Sequence, residues 1–311
     1  MAGSVKGLNV KGKMVASMAI FGSMGLVVRE IGLNTGLIAI SRGALGAVFL
    51  LVLLTLTGRR VSWRAIRKNL GLLAPSGALL GANWIFLFEA YRRTTIQLAT
   101  LSYYLAPVLI LAASPFVLKE RMSARKVFCV LAALTGMALV SGIGGAQAGG
   151  NLNGILLGLC AAVCYAALTM TNKFLKGVSP MEATMVQLGV SSIALFPYAL
   201  ATGSLTFTGA GPKDALLLVV LGVVHTGLAF WWFFSSVRDL SAQTVAMFSY
   251  IDPATAILLS ALLLRERLDA LQILGACLIL GAALFGELSF KRSAAMRPRA
   301  AHAEARRAER A

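Results

Sequence analysis

The chain has 311 residues, of which 58% are hydrophobic and only 13% charged, and its mean hydropathy is +0.79. A soluble domain carries about 25% charged residues, so a water-exposed globular fold is excluded and the apolar runs must lie in lipid, where a helix satisfies its own backbone. The formal net charge of +17 does not indicate nucleic acid: Lys and Arg sit in short clusters between apolar runs, and no soluble segment is long enough to fold into a basic surface.

The apolar runs are continuous, as in Leu45–Leu56 and Ala215–Val224, whereas barrel strands would be shorter and alternate. Helices are therefore expected, and about ten spans of ~20 residues fit the length. They fall near 14–30, 37–57, 70–90, 95–118, 124–143, 152–172, 182–202, 214–236, 241–264 and 270–288. The first follows Lys11 and Lys13, like a signal peptide, but no clean small-residue cleavage site follows it and more spans come after, so it reads as a retained helix. The four cysteines, Cys129, Cys160, Cys164 and Cys277, lie in apolar runs and imply neither a disulfide framework nor a metal site.

Placing the N-terminus inside puts 22 Lys and Arg residues on the cytoplasmic side and six outside, with Arg42 within a span. The positive-inside bias thus predicts a multi-pass protein of the cell's inner (plasma) membrane with both termini cytoplasmic. The tail at 289–311 is basic and Ala-rich and reads as solvated or in contact with anionic lipid.

The chain repeats itself at an offset of 146 residues. From Tyr104 it reads YLAPVLILAASPFVLKERMSA, and from Tyr250 it reads YIDPATAILLSALLLRERLDA. Phe88 and Phe234, Arg92 and Arg238, Gln97 and Gln243, and Leu134 and Leu280 keep the same offset. Residues 1–145 and 146–288 are therefore expected to be two copies of one five-helix unit. An odd number of spans per copy inserts the second upside down, which suits alternating access around a site near the midplane. The expected fold is an all-α polytopic membrane protein with ten transmembrane helices as two inverted five-helix repeats.

A Pro in the fourth helix of each half, followed by a Glu-Arg turn and a Gly/Ala-rich fifth helix, resembles the EamA-type members of the drug/metabolite transporter superfamily. The resemblance covers roughly residues 14–288. It implies ten helices, movement of small metabolites and no bound cofactor. Arg42, in Ser41-Arg42-Gly43, matches the Arg often seen in that family's second helix, while Gln187 stands at the corresponding place in the second half.

Intramembrane ionisable residues are functional candidates by default. Arg42 offers a planar fork for a carboxylate or phosphate, or a structural bridge to Glu30 or Glu89. Glu89 either faces a substrate or pairs with Arg92 and Arg93 at a helix end. Asp252, opposite apolar Ala106 in the repeat, is costly in mid-span unless paired or protonated, and is a candidate for an amine contact or proton coupling. His225 matches apolar Leu79 and reads as a packing residue or a gating or proton-handling group. Trp84, Tyr104, Trp231 and Tyr250 belong to aromatic clusters on the third, fourth, eighth and ninth helices, which suit two gates or an interfacial belt. Pro107 and Pro253 either kink their helices for packing or free a carbonyl toward a cavity.

The reading that unites these features is a secondary transporter for a small metabolite, an amino acid or related amphiphile, working in export. The alternatives are an uptake permease for a nucleotide-like or vitamin-like solute, or a lipid-carrier flippase. No phosphate-binding loop is present, and with two His the chain lacks the clusters that a metal enzyme needs. Expected partners are the small-molecule substrate, membrane lipid, a coupling proton or counter-solute, and a second copy in a homodimer; no cofactor, metal or nucleic acid is expected.

Overall fold

The computed structural model describes residues 9–58, 60–94, 96–120, 123–140, 152–206, 210–263 and, with interruptions, 270–285. The tail at 289–311 and the Arg265-Glu266-Arg267 turn lie outside the described residues. Regular structure among the described residues is helical throughout. Helices α1 (Val10–Arg29), α2 (Thr35–Leu56) and α3 (Trp63–Arg93) lead into a fourth rod in two pieces, α4 (Ile96–Tyr103) and α5 (Ala106–Val117), and then α6 (Ala124–Val140). Next come α7 (Leu152–Thr171) and α8 (Pro180–Ala201). The eighth rod joins α9 (Pro212–Val220), a π-helical segment π1 (Leu221–Leu228) and α10 (Ala229–Asp239). The ninth is again in two pieces, α11 (Ala242–Ser249) and α12 (Ile251–Leu263), and helical residues between 270 and 285 form a tenth.

Among the described residues, six rods are long and apolar enough to cross a membrane: α1, α2, α3, α7, α8 and Pro212–Asp239. Their outward faces carry side chains such as Leu56, Ile193, Leu200 and Leu216, each more than 60% exposed. Such a surface belongs in lipid, because water-soluble monomers rarely expose large contiguous apolar patches.

The predicted spans coincide with these rods to within a few residues, except that α3 begins at Trp63 and not near 70. Its first turns hold Arg64, Arg67 and Lys68. They are helical without being apolar, so hydropathy alone misses them. Local chemistry sets other starts. Asn9 caps α1 by accepting from the Gly12 N–H at 2.7 Å. Ser179 and Glu182 form a reciprocal capping box on α8, with Pro180 in its first turn. The Glu182 carboxylate also accepts from the Ser62 N–H at 2.6 Å, which ties the start of α3 to the start of α8.

The two prolines of the repeat lie just past helix breaks. Pro107 follows the interruption at Tyr104–Leu105, and Pro253 follows the one at Tyr250. A proline lacks the donor for the carbonyl four residues earlier and its ring crowds that carbonyl. The breaks meet in the core, where the Tyr250 hydroxyl donates to the Tyr104 carbonyl at 3.1 Å.

Packing between rods is reciprocal: α3 packs on α7 and α8, while the Pro212–Asp239 rod packs on α1 and α2, and α2 packs on α8. Glycines permit the close approach on both sides. A Cβ at Gly77 would fall 2.7 Å from the Val190 Cβ, and one at Gly81 would fall 3.0 Å from the Ser191 carbonyl. Across the molecule, a Cβ at Gly227 would fall 2.6 Å from the Phe49 ring and 3.2 Å from the Gly46 carbonyl. Small residues let helices touch backbone to backbone, where van der Waals contact drives association in lipid.

Gly77→Leu should therefore lower the detergent-solubilised protein's thermal midpoint, at an overpacking cost of about 1–3 kcal/mol. Gly71→Leu, at a position with nothing within 4 Å of a built Cβ, should leave the midpoint unchanged or raised, since a helix interior disfavours glycine. A thermal melt of the two variants side by side checks this.

Candidate functional site

The helix breaks and the ends of α1, α2 and α3 enclose a cavity of about 520 Å³. It reaches from Tyr165 and Phe230, in the middle of their rods, to Val28, Thr35 and Tyr91 near the ends of α1, α2 and α3. The wall is mostly apolar and aromatic, with a few polar groups: Arg42, Asn83, Thr100, Ser249 and Asp252. That composition is characteristic of small-molecule sites, in which sparse polar groups orient a ligand against an apolar lining.

Arg42 is the cation of the cavity. It is only 7% exposed. Its guanidinium lies over the Trp84 ring, 4.2 Å from the centroid, and one terminal nitrogen donates to the Met24 sulfur at 3.0 Å. The Nε is buried with no hydrogen-bond partner, and no carboxylate pairs with Arg42 among the described residues. A ring face and a thioether are weak substitutes for an anion. Gln187, at the corresponding place on α8, is instead absorbed into packing: its amide donates to Ser76 at 2.8 Å and Asn172 at 3.3 Å.

Asp252 is the carboxyl of the same cavity, held on the first turn of α12 immediately after the break. Tyr104 lines the same cavity, and Asp252 too lacks an ion pair among the described residues. Trp84, Tyr104 and Pro107 also line the cavity. The fold thus brings together Arg42, Trp84, Tyr104, Pro107 and Asp252.

The other candidates sit elsewhere. Glu89 is at the end of α3, where its carboxylate pairs with Arg92 at 3.1 Å and Arg93 at 3.3 Å and accepts from the Tyr198 hydroxyl at 2.8 Å. His225 is inside π1, within 3.1 Å of the Ser23 hydroxyl. Tyr250 and Pro253 are buried in the core beside the cavity, and Trp231 packs half-buried against it. Of the aromatic run Phe230–Phe234, Phe230 alone is among the lining residues.

The end of the cavity away from Val28 and Tyr91 is closed by rings. Phe21 and Phe230 stand 4.8 Å apart, Tyr165 and Phe233 stack at 5.9 Å, and Phe233 and Phe234 are 5.1 Å apart. Beyond them lies a polar lock. Lys173 donates to the Leu240 carbonyl at 2.5 Å and sits 3.6 Å from Glu120, whose two oxygens accept from the Ala242 N–H at the start of α11. Lys119, with a left-handed φ of 54°, makes the turn that precedes Glu120. On the opposite face, Lys213 pairs with Glu30 at 2.6 Å and Asp214 accepts from the Gly32 N–H. The Lys213 hydrogen bond holds the Glu30 carboxyl below its ordinary value.

Several lining residues were not singled out from sequence. Asn83 donates to the Ala161 carbonyl at 2.8 Å and is the one signal that could have been read, as an amide beside Trp84 in an apolar span. Phe21, Met24, Thr100 and Tyr165 carry no such mark.

Arg42→Met should leave the thermal midpoint unchanged or raised, because a desolvated cation without an anion partner costs free energy that a similar-sized apolar chain does not. A thermal melt checks this; a clear fall would make Arg42 a structural strut.

A profile of the EamA-like transporter family matches residues 13–142 and again 152–286. An "Uncharacterized transporter YxxF" of Bacillus subtilis is 31% identical over 269 residues, covering 86% of each chain. An "Uncharacterized transporter" of Archaeoglobus fulgidus is 28% identical and covers 87% of this chain and 93% of its own. "Protein RarD" of Escherichia coli is 25% identical over 201 residues, 64% of this chain and 66% of its own. A solved crystal structure superposes with a TM-score of 0.78 over 89% of this chain and 96% of its own, at 19% identity, and so shares the fold.

Proposed function

The chain belongs to the EamA-like transporter family, and from that premise we propose that it exports an amino acid or related amphiphile by alternating access through the cavity between Arg42 and Asp252. The observation that carries the reading is charge without partners. A buried guanidinium and a mid-rod carboxyl line one cavity, neither has an ion pair among the described residues, and the rest of the wall is aromatic and aliphatic. A zwitterion with an apolar side chain supplies what each group lacks: its carboxylate for Arg42 over Trp84, its ammonium for Asp252 beside Tyr104.

Two states of opposite access follow from two inverted repeats. The family profile's two successive matches and the reciprocal packing of α3 on α7 and α8 against Pro212–Asp239 on α1 and α2 support that arrangement. With both termini cytoplasmic, as the Lys and Arg distribution favours, the cavity reaches toward the outer face. The aromatic layer and the Lys173–Glu120 lock then close the inner one. A proton entering from outside reaches Asp252 before the cavity turns inward, so proton entry and solute exit share one carboxyl. That exchange is the coupling proposed for export.

Purified protein in liposomes with an inward-directed proton gradient should drive efflux of a radiolabelled amino acid such as phenylalanine or leucine. No flux across a broad solute panel would remove the transporter reading. Asp252→Asn should cut flux by roughly 100-fold or more if it carries the proton, from the lower end of the range of acid–base contributions upward, with little loss of folded protein. Unchanged flux and pH dependence would remove the coupling role.

A further inference from the structure

The cavity's α1 wall has a gap. Met18, Phe21, Gly22, Gly25 and Val28 of α1 face the cavity at helical spacing. The two glycines are unlike. A Cβ at Gly22 would meet the Asp252 carbonyl and fall 2.7 Å from the Thr255 Cβ, so Gly22 is needed where α1 packs on α12. A Cβ at Gly25 would meet nothing within 4 Å. No neighbouring helix demands a glycine there, and helix interiors disfavour one relative to Ala. Gly25 is exposed and lines the cavity, so what the missing side chain leaves is open space along the α1 wall between Phe21 and Val28, a niche on the cavity's edge.

We infer that Gly25 sets the upper size limit of the solute: the niche receives part of the solute's apolar group, and any side chain at 25 would fill it. Gly25 acts this way only if the cavity is the solute site proposed above. The niche has no polar wall of its own, so it selects by volume. Arg42 and Asp252 select by charge, and the two requirements are separable by substitution. Apolar pockets discriminate one methylene by roughly 10–200-fold, so a leucine-sized obstruction should act well within a measurable range.

The test uses full-length protein in liposomes and four radiolabelled probes of rising size: alanine, leucine, phenylalanine and tryptophan. Gly25→Ala and Gly25→Leu should fold with undiminished thermal midpoints. The ratio of tryptophan to alanine flux should fall at least about 10-fold in Gly25→Leu, with Gly25→Ala intermediate. An unchanged ratio overturns the inference. So does an equal loss for every probe, which would make Gly25 a contact needed for closing the cavity. If wild-type protein moves none of the four probes, the amino-acid reading fails, and thiol labelling decides the niche independently. In a Cys160→Ser, Cys277→Ser background, which removes the two exposed cysteines, Gly25→Cys should react with both ethyl and benzyl methanethiosulfonate. An unreactive thiol, or one open to the ethyl reagent alone, overturns the niche.

Discussion

The hydrogen bond from the Tyr250 hydroxyl to the Tyr104 carbonyl holds the middle of this molecule together. Lipid offers no partner for a broken helix, so a proline-interrupted span survives only where protein satisfies the freed groups. Here the Tyr250 side chain at one interruption serves the Tyr104 carbonyl at the other, across a separation of 146 residues. Tyr104 receives Tyr250 on its backbone and lines the same cavity as Asp252, so the brace between the breaks lies beside the cavity wall.

Around this centre the two halves play unequal parts. Arg42 lines a cavity, whereas the Gln187 amide donates to Ser76 and Asn172. One position thus holds an unpaired cation in one half and a packed amide in the other. Closure is likewise one-sided, with stacked rings backed by Lys173, Glu120 and the start of α11. In the alternating-access cycle proposed above, those contacts give way while equivalents form near Val28 and Tyr91.

Much of the fold was legible because lipid is a strict solvent. Continuous apolar runs placed the rods, and the paired prolines placed both breaks within about a turn. Other features were hidden for identifiable reasons. The basic opening turns of α3 form a helix that is not apolar. The π1 segment differs from an α-helix only in its hydrogen-bond register, which leaves no mark in composition. Glu89 was readable as an ion-pair partner of Arg92 and Arg93, but its bond to Tyr198 spans 109 residues. At the site, the charge asymmetries between Arg42 and Gln187 and between Asp252 and Ala106 singled out Arg42 and Asp252, which the fold brings to one cavity. Tyr250 and Trp231 could not be told from lining residues, since facing the cavity or the core depends on a helix's rotation among its neighbours.

The central claim is that solute sits against Trp84, between Arg42 and Asp252. The chain has four tryptophans, so replacing Trp63, Trp231 and Trp232 with Phe leaves Trp84 as a single reporter in the cavity wall. Its fluorescence should change saturably on titration with a solute that the same variant transports, and the change should vanish when Arg42→Met is added. Transport that persists with no response from Trp84 at saturating solute would contradict the account.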